Sequence, residues 1–290
     1  MVSAMHRSAR LLALTAPLFL FFGCDGGEES SAGTVTLRFA PMVGDASFAC
    51  GQSYDGLGLT NATAEANDFR LYVHDVTVVH ADGDREPLLL SDNDWQSDGI
   101  VLLDFEDASG ECNGTPETNM VIEGDVLDTE GITGVEFTIG VPGEDNHLDS
   151  ASAPAPLNIP GMYWSWMGGY KYARVEFTAS GGEPFVFHLG ATGCTGTTAD
   201  GFTCSTENRV KLSIDGFDPA ADAIAVDLKA LVADSDMTTA NDKEVDPVDG
   251  CMSGPMDPEC PPLFTAMGLN HTTGGTNPAG QTVFRVVDKP

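Results

Sequence analysis

Basic residues are scarce in this sequence. Its 290 residues include 13 Lys and Arg against 44 Asp and Glu, which gives a formal charge of −31 at pH 7. Such a chain is repelled by nucleic-acid phosphates and by anionic lipid surfaces, because both are themselves negative. The composition therefore excludes a nucleic-acid-binding protein and favours partners that are cations or basic proteins.

Motifs of the common hydrolases and nucleotide-binding enzymes are also missing. The sequence contains no GxSxG, no HExxH and no Walker loop, the motifs that would supply a serine nucleophile, a zinc site and a phosphate cradle. The carboxylates of DFED (104–107) could serve acid–base chemistry, but this stretch is more simply the end of a strand. We therefore expect a protein that is not an enzyme.

One apolar run stands out, LLALTAPLFLFF (11–22), shortly after two arginines. It is too short for a finished transmembrane helix and has the length of a secretory signal core. Cys24, directly after it, resembles the cysteine of a bacterial lipoprotein signal, which becomes the lipidated first residue. We expect residues 1–23 to be a signal peptide and 24–33 a flexible tether. The protein would then be exported and anchored to a membrane, in the periplasm or on the outer membrane.

Cysteines with the CxxC spacing of metal sites are absent. Beyond Cys24 six cysteines remain, and an even number in an exported chain predicts disulfides. Two pairs each enclose a short loop rich in Gly, Pro or Asp, and the third pair follows by elimination. Metal ligation by free thiolates is the alternative, which an oxidising compartment disfavours. The predicted disulfides are Cys50–Cys112, Cys194–Cys204 and Cys251–Cys260.

Short runs of alternating or β-branched residues, separated by Gly, Pro, Asn and Asp clusters, recur along the chain. The predicted strands are 34–43, 69–81, 134–141, 171–180, 184–190, 209–214, 223–232 and 282–288. This pattern predicts an all-β fold, an antiparallel sandwich or barrel with long disulfide-tied loops. At most one short helix is expected, near 263–269 after two prolines. Since no linker is visible, residues 34–290 are predicted to form a single domain.

Histidines are the candidate metal ligands. A period of two puts His74 and His80 on one face of the strand 69–81, but roughly 20 Å apart, too far to share one ion. His188 lies on the strand face opposite three apolar residues, and His147 lies in a loop after a strand, where a ligand can be displayed. The predicted ligands are His74, His147 and His188. A structural role remains the alternative for each.

Two of the three tryptophans, Trp164 and Trp166, lie one residue apart in MYWSWMGGYKY (162–172). On a strand their indoles would face the same way, toward one place. Two such rings on one strand face are more often core packing than chemistry, because each ring buries about 150 to 250 Å². Core packing therefore stays open as the alternative to a functional site.

Seven stretches form a recognisable combination. They are FACG with YDGLG (48–58), DFRLYVHDV (68–76), WQ with LLDFEDASGEC (95–112), FTIGVPGEDNHLD (137–149), PLNIPGMYWSWMGGYKYARVEF (156–177), FHLGATGC (187–194) and CMSGPMDPEC (251–260). In that order they resemble the MbnP-like family, the four-cysteine half of the so-called metallo-mystery pair. The resemblance runs over roughly residues 34 to 270.

The resemblance implies an exported copper-associated protein. In this family a dihaem partner of the MauG and cytochrome c peroxidase type oxidises a tryptophan to kynurenine, and the modified residue is associated with copper binding. An indole nitrogen offers no lone pair to a metal, whereas the opened ring offers an amine nitrogen and a carbonyl oxygen. The candidates for modification are Trp164, Trp166 and Trp95. We predict one bound copper ion, the dihaem enzyme as partner, and capture or delivery of copper rather than catalysis.

A structural or adhesive surface lipoprotein without a redox partner is the alternative function. Calcium could stabilise it at the acidic turns HADGDRE (80–86) and SDNDWQSDG (91–99). The second turn lacks the glycine and the distal glutamate of an EF-hand loop, which makes calcium the weaker prediction. A dihaem peroxidase gene beside this one would discriminate against this alternative.

Overall fold

The computed structural model describes residues 31–182, 184–238 and 248–289, and their regular structure is almost wholly β. The signal peptide and Cys24 lie outside these ranges. Numbered along the chain, the strands are β1 (Gly33–Val43), β2 (Ala46–Ser47), β3 (Ser53–Leu57), β4 (Ala62–His80), β5 (Arg85–Pro87), β6 (Leu89–Leu90), β7 (Gln96–Ser97), β8 (Ile100–Asp104), β9 (Val121–Val126), β10 (Ile132–Ile139), β11 (Tyr163–Ser165), β12 (Gly169–Tyr170), β13 (Ala173–Ala179), β14 (Pro184–Leu189), β15 (Thr195–Thr197), β16 (Gly201–Thr203), β17 (Val210–Asp215), β18 (Asp222–Asp227), β19 (Asp249–Cys251) and β20 (Phe284–Asp288). The helices are α1 (Leu228–Leu231) and α2 (Cys260–Met267), with single 3₁₀ turns at Pro160–Met162 and Pro278–Gly280.

Two sheets form a β-sandwich that does not close into a barrel. The smaller sheet has the order β20–β18–β1–β9–β6, with β2 paired to β1. The larger has the order β17–β10–β4–β13–β14–β19, with β3, β5 and β8 added along β4 and β7 paired to β8. The predicted all-β sandwich is confirmed. Most pairs are antiparallel, but β1–β18 and β14–β19 are parallel.

An apolar core joins the two sheets. Phe39 of β1 contacts Phe137 of β10 edge to face, with ring centroids 5.8 Å apart, and Phe137 contacts Phe284 of β20 at 5.9 Å. All three rings are buried. Burial of one such side chain contributes about 1.5–3 kcal/mol, so these contacts between sheets stabilise the sandwich.

The longest strand, β4, organises the larger sheet. Its first half pairs with β13 and its second half with β10. Every residue from 66 to 74 is buried, because both faces of the strand are covered. The polar residues that alternate with its apolar ones are therefore also removed from solvent.

The prediction of at most one helix is wrong. Helix α2 lies near the expected place but begins at Cys260, with prolines in its first turn, where a backbone N–H has no helical partner to lose. Helix α1 occupies the end of the predicted strand 223–232. Asp227 begins it, because its carboxylate accepts hydrogen bonds from the backbone N–H groups of Lys229 and Ala230.

Three disulfides fasten the loops, and they join the same pairs that the sequence predicts: Cys50–Cys112, Cys194–Cys204 and Cys251–Cys260. The first ties the segment between β2 and β3 to the segment after β8. The second flanks the hairpin of β15 and β16, and the third joins β19 to the start of α2. In the part of the chain that the structure covers, no helix is long and apolar enough to cross a membrane.

The disulfides should differ in their effect on stability. Cys50–Cys112 closes a separation of 62 residues, and Cys194–Cys204 one of 10. Since a cross-link restricts the unfolded chain more when its loop is longer, replacing Cys50 and Cys112 by Ser should lower the free energy of unfolding by about 4 kcal/mol, against about 3 kcal/mol for the other pair. Urea denaturation measures both losses. A larger loss for the short loop would contradict the explanation.

Candidate metal centre

A row of polar side chains crosses the larger sheet. The strand register places Asp104 of β8 beside Arg70 of β4, Arg70 beside Arg174 of β13, and Arg174 beside His188 of β14. Asp68, two residues before Arg70, lies on the same strand face. Arg70 and Asp68 are fully or almost fully buried. Charges so placed need partners, because an isolated buried ion costs several kcal/mol.

The partners come from neighbouring strands. Asp68 accepts a hydrogen bond from Nε of Arg70 at 2.8 Å and lies 3.1 Å from Nε of Arg174. Arg174 Nε also donates to Glu176 Oε1 at 2.7 Å. Burial opposes the ionisation of Glu176, but hydrogen bonds from His188 and Arg174 outweigh it and lower the pKa of Glu176 to about 2. Glu176 is therefore a carboxylate at neutral pH.

His188 has one ring nitrogen with a partner and one without. Its Nε2 lies 2.8 Å from Glu176 Oε1, and since a carboxylate only accepts, Nε2 is the donor. Burial lowers the pKa of His188 despite the hydrogen bond to Glu176, so the ring is neutral and Nδ1 carries its lone pair. Nδ1 is buried and has no hydrogen-bond partner among the residues described. An unsatisfied buried acceptor costs about 1–3 kcal/mol, and a histidine oriented by a carboxylate is common at metal sites.

Trp164 lies next to this histidine. The two ring centroids are 6.5 Å apart, and Lys171 Nζ lies 6.0 Å from the centroid of the indole. The half-buried indole packs on Gly190, where a Cβ atom would overlap the ring. Glycine at that position therefore leaves the space that Trp164 occupies beside His188.

Trp166 has different neighbours. Strand β11 ends at Ser165, whose hydroxyl accepts a hydrogen bond from the N–H of Gly168 at 3.0 Å and closes a turn. Trp166 lies in this turn, 49% exposed, with its ring centroid 5.8 Å from that of Phe202. The prediction that both indoles look toward one place is wrong, because the strand is too short for its period of two to include Trp166.

The side chain of His147 contacts the backbone of the same hairpin, residues 163–170. Its Nδ1 donates to the carbonyl oxygen of Trp166 at 2.8 Å, which leaves Nε2 as the nitrogen able to bind a metal. Nε2 lies 3.3 Å from Asn146 Nδ2 and 3.7 Å from Cys204 Sγ, and the ring stacks on Phe202 at 4.1 Å. Since Cys204 is in a disulfide, its sulfur is not a thiolate ligand.

The other two candidates lie elsewhere. His74 lines a cleft beside Asp75, and its Nδ1 donates to the carbonyl oxygen of Gly140 at 2.9 Å. Burial lowers the pKa of His74. Trp95 lies in the turn before β7, half-buried, and its backbone N–H donates to Asn93 Oδ1 at 2.7 Å. The structure thus brings His147 and His188 to the hairpin of Trp164 and Trp166, and places His74 in a different cleft.

Sequence reasoning missed Glu176, Lys171 and Gly190. A signal for Glu176 was present, since it alternates with Arg174 on the polar face of the strand that also carries Val175 and Phe177. The pairing of that face with His188 depends on strand register, which the sequence alone does not reveal.

Asp104 should make stability depend on pH. Burial raises its pKa to about 8, against the opposing charge of Arg70, whereas in the unfolded chain it ionises near its ordinary pKa of about 4. The stability that protonated Asp104 gives the folded state is thus fully present below about pH 4, and it is lost as the pH rises toward 8. Asp104→Asn should gain stability relative to the native protein between about pH 5 and 8, as measured by urea denaturation at several pH values. A pH-independent difference would show that Asp104 is ionised throughout.

Comparison with known proteins identifies the family. The sequence model of the MbnP family matches residues 32–253. The solved structure of MbnP from Methylosinus trichosporium superposes with a TM-score of 0.79 at 30% sequence identity, over 89% of this chain and 99% of that one. No match is found among the curated proteins. On the family match and on this structural similarity, the chain belongs to the MbnP family.

Proposed function

We propose that this protein binds copper at the hairpin 163–170, in a site completed when a dihaem partner oxidises Trp164 to kynurenine. It would capture or deliver the metal and would be the substrate of its partner rather than an enzyme. The observation that carries the proposal is the buried Nδ1 of His188, which has no hydrogen-bond partner among the described residues, on a ring whose centroid lies 6.5 Å from that of Trp164.

The residues present fit a copper ion. Imidazole nitrogen is a ligand that copper favours, and the hydrogen bond from Nε2 of His188 to Glu176 holds the ring and raises its basicity. His147 is the second candidate ligand, because its Nε2 has two long contacts to give up, 3.3 Å to Asn146 Nδ2 and 3.7 Å to Cys204 Sγ. The kynurenine would add an amine nitrogen and a carbonyl oxygen. His74 is not part of this proposed set.

Trp164 is the tryptophan best placed for modification. It lies beside His188, whereas Trp166 has its ring against Phe202 and Trp95 lies in the turn before β7. Glycine borders the indole at Gly190, and also at Gly168, where a Cβ atom would lie 3.1 Å from Cβ of Trp164. The absence of side chains at both positions lets the backbone lie against Trp164 without a clash.

The cationic side chains near Trp164 are compatible with a bound cation. Lys171 donates to the carbonyl oxygen of Gly161 at 2.8 Å. Burial, with the nearby charge of Arg174, lowers the pKa of Lys171 to about 8. A lysine of this pKa releases its proton readily, which limits the repulsion that an approaching metal ion meets. Arg174 is already paired with Asp68 and Glu176.

Further observations support the proposed location of the protein and its partnership with a dihaem enzyme. Three disulfides favour an oxidising compartment, which agrees with export and with lipidation at Cys24. The formal charge of −31 would speed association with a partner whose docking face is basic. Opening the indole to N-formylkynurenine would add two oxygen atoms from water and release four electrons, which the dihaem enzyme would take and pass to a peroxide oxidant. Hydrolysis would then release the formyl group as formate and leave kynurenine.

Matched tryptophan variants test which indole ring is needed for copper binding. Each protein is treated with the active dihaem partner and then titrated with copper. Trp164→Phe should lose the copper binding that depends on this treatment, because phenylalanine cannot form kynurenine, while Trp166→Phe and Trp95→Phe should keep it. Full binding by treated Trp164→Phe would remove that residue from the site.

Glu176→Gln tests the orientation of His188. The amide keeps the size of the side chain but lacks the negative charge that fixes His188 Nε2 as the donor, so copper affinity of the matured protein should fall about 10–100-fold. His188→Ala should lose more copper affinity than Glu176→Gln does. His271→Ala serves as the matched histidine control. Competition with a copper chelator measures all three. Equal affinity for Glu176→Gln and the native protein would show that this hydrogen bond has no role in binding.

A further inference from the structure

An exposed apolar patch lies beside the proposed copper site. Its outer members are Trp166 and Leu148, which are 49% and 39% exposed, and the half-buried ring of Phe202 lies between them. The rings of Trp166 and Phe202 have centroids 5.8 Å apart, and His147 stacks on the other side of Phe202. Leu148 directly follows His147. We call these four residues the hairpin patch. Exposed apolar patches with a polar border mark interaction sites.

We propose that the hairpin patch is the surface on which the dihaem partner docks, through an apolar centre surrounded by basic residues of the partner. This inference rests on the proposed function, since it takes the oxidation of Trp164 as the reason for the contact. It adds the place of the contact and the chemistry of the surface that fits it.

The border of the patch is acidic. A depression of about 410 Å³ lies against it, and its described lining includes Phe202, Glu144 and Asp149 but no lysine or arginine. Both acids are exposed. Arg209 reaches the neighbourhood of Gly143 on one side, but its Nη1 lies 2.7 Å from Glu207 Oε2 and is paired there. The patch thus presents apolar rings next to carboxylates that lack a basic residue in the described lining.

This charge limits what can cover the patch. A second copy of the chain, with its formal charge of −31, would bring the same acidic border against this one in a symmetric dimer, and like charges in an interface oppose association. An anionic lipid surface would be repelled in the same way. A protein whose docking face is apolar at the centre and basic at the border fits both features.

The position of the patch agrees with its proposed role. Trp166 follows Trp164 by two residues, so their Cα atoms are at most about 7 Å apart. Electron transfer weakens steeply with distance, and a haem that oxidises Trp164 must therefore come close to this hairpin. The indole of Trp164 is half-buried against Gly190, whereas Trp166 is open to a partner. Tryptophan is also among the residues that most often anchor protein interfaces.

Binding of the purified dihaem partner to the unmodified protein tests the proposal. Surface plasmon resonance is recorded without peroxide, so that no oxidation takes place. Trp166→Glu and Leu148→Glu should each weaken binding at least about tenfold, as expected when an interface anchor is lost. Leu127→Glu is the matched control, because this leucine directly after β9 is 72% exposed and gains the same charge. It should bind as the native protein does.

A charge reversal tests the acidic border. Glu144→Lys should slow association at low salt, while Glu117→Lys, an exposed position on the segment between β8 and β9, should leave the rate nearly native. Trp166→Phe keeps an apolar ring and should bind almost normally. Urea denaturation checks that every variant keeps its fold, which the exposure of these side chains favours.

The docking surface is overturned if the native protein does not bind the partner, if Trp166→Glu and Leu148→Glu both bind with native affinity, or if Leu127→Glu loses as much. Sedimentation that shows a dimer of the native chain, lost in Trp166→Glu, would also overturn it in favour of a second copy. Kynurenine is measured separately after peroxide is added. Its absence in the native complex would overturn the proposed function, while the binding results would still decide the docking surface.

Discussion

The candidate centre depends on the hydrogen bond between Nε2 of His188 and Oε1 of Glu176. It fixes which ring nitrogen donates, and so leaves the buried Nδ1 with a lone pair and no hydrogen-bond partner in the described part of the chain. The bond in turn depends on the register of β13 and β14, which sets Arg174 opposite His188 and brings Glu176 within reach. Arg174 then holds the other side of Glu176 through a 2.7 Å hydrogen bond. One strand pairing thus leaves a buried imidazole lone pair on the ring that lies next to Trp164.

The buried charges around this bond are better explained by function than by stability. Replacing a buried ion pair with apolar side chains of similar volume is often neutral or stabilising, and the rest of β4 shows that this chain can fill the sandwich with apolar residues. Yet Asp68 and Arg70 are buried on β4. They connect through Arg174 to Glu176 and so contribute to holding His188.

Much of the fold follows from local signals in the sequence. Alternation predicts β1, β13 and β14 to within a few residues, and short loops between cysteines predict two disulfides, because both patterns are local. The cap at Asp227 that begins α1 was missed, because the strand pattern of 223–232 continues through it. The site was harder, since β13 pairs with β4 across a sequence separation of about 100 residues, and register is a property of the folded sheet. The early end of β11 separated Trp166 from Trp164, and the course of β4 carried His74 into another cleft.

Peptide mass spectrometry of protein treated with the proposed dihaem partner would decide the role of Trp164. Combined cleavage before Asp149 and after Lys171 isolates a peptide with Trp164 and Trp166 but without Trp95, and fragmentation separates the two rings. We expect a gain of about 4 Da for kynurenine, or about 32 Da for its N-formyl precursor, at Trp164 alone. An unmodified Trp164 in protein treated with active partner would show that this indole is packing only. The metal centre at the hairpin would then have to be abandoned in the form proposed.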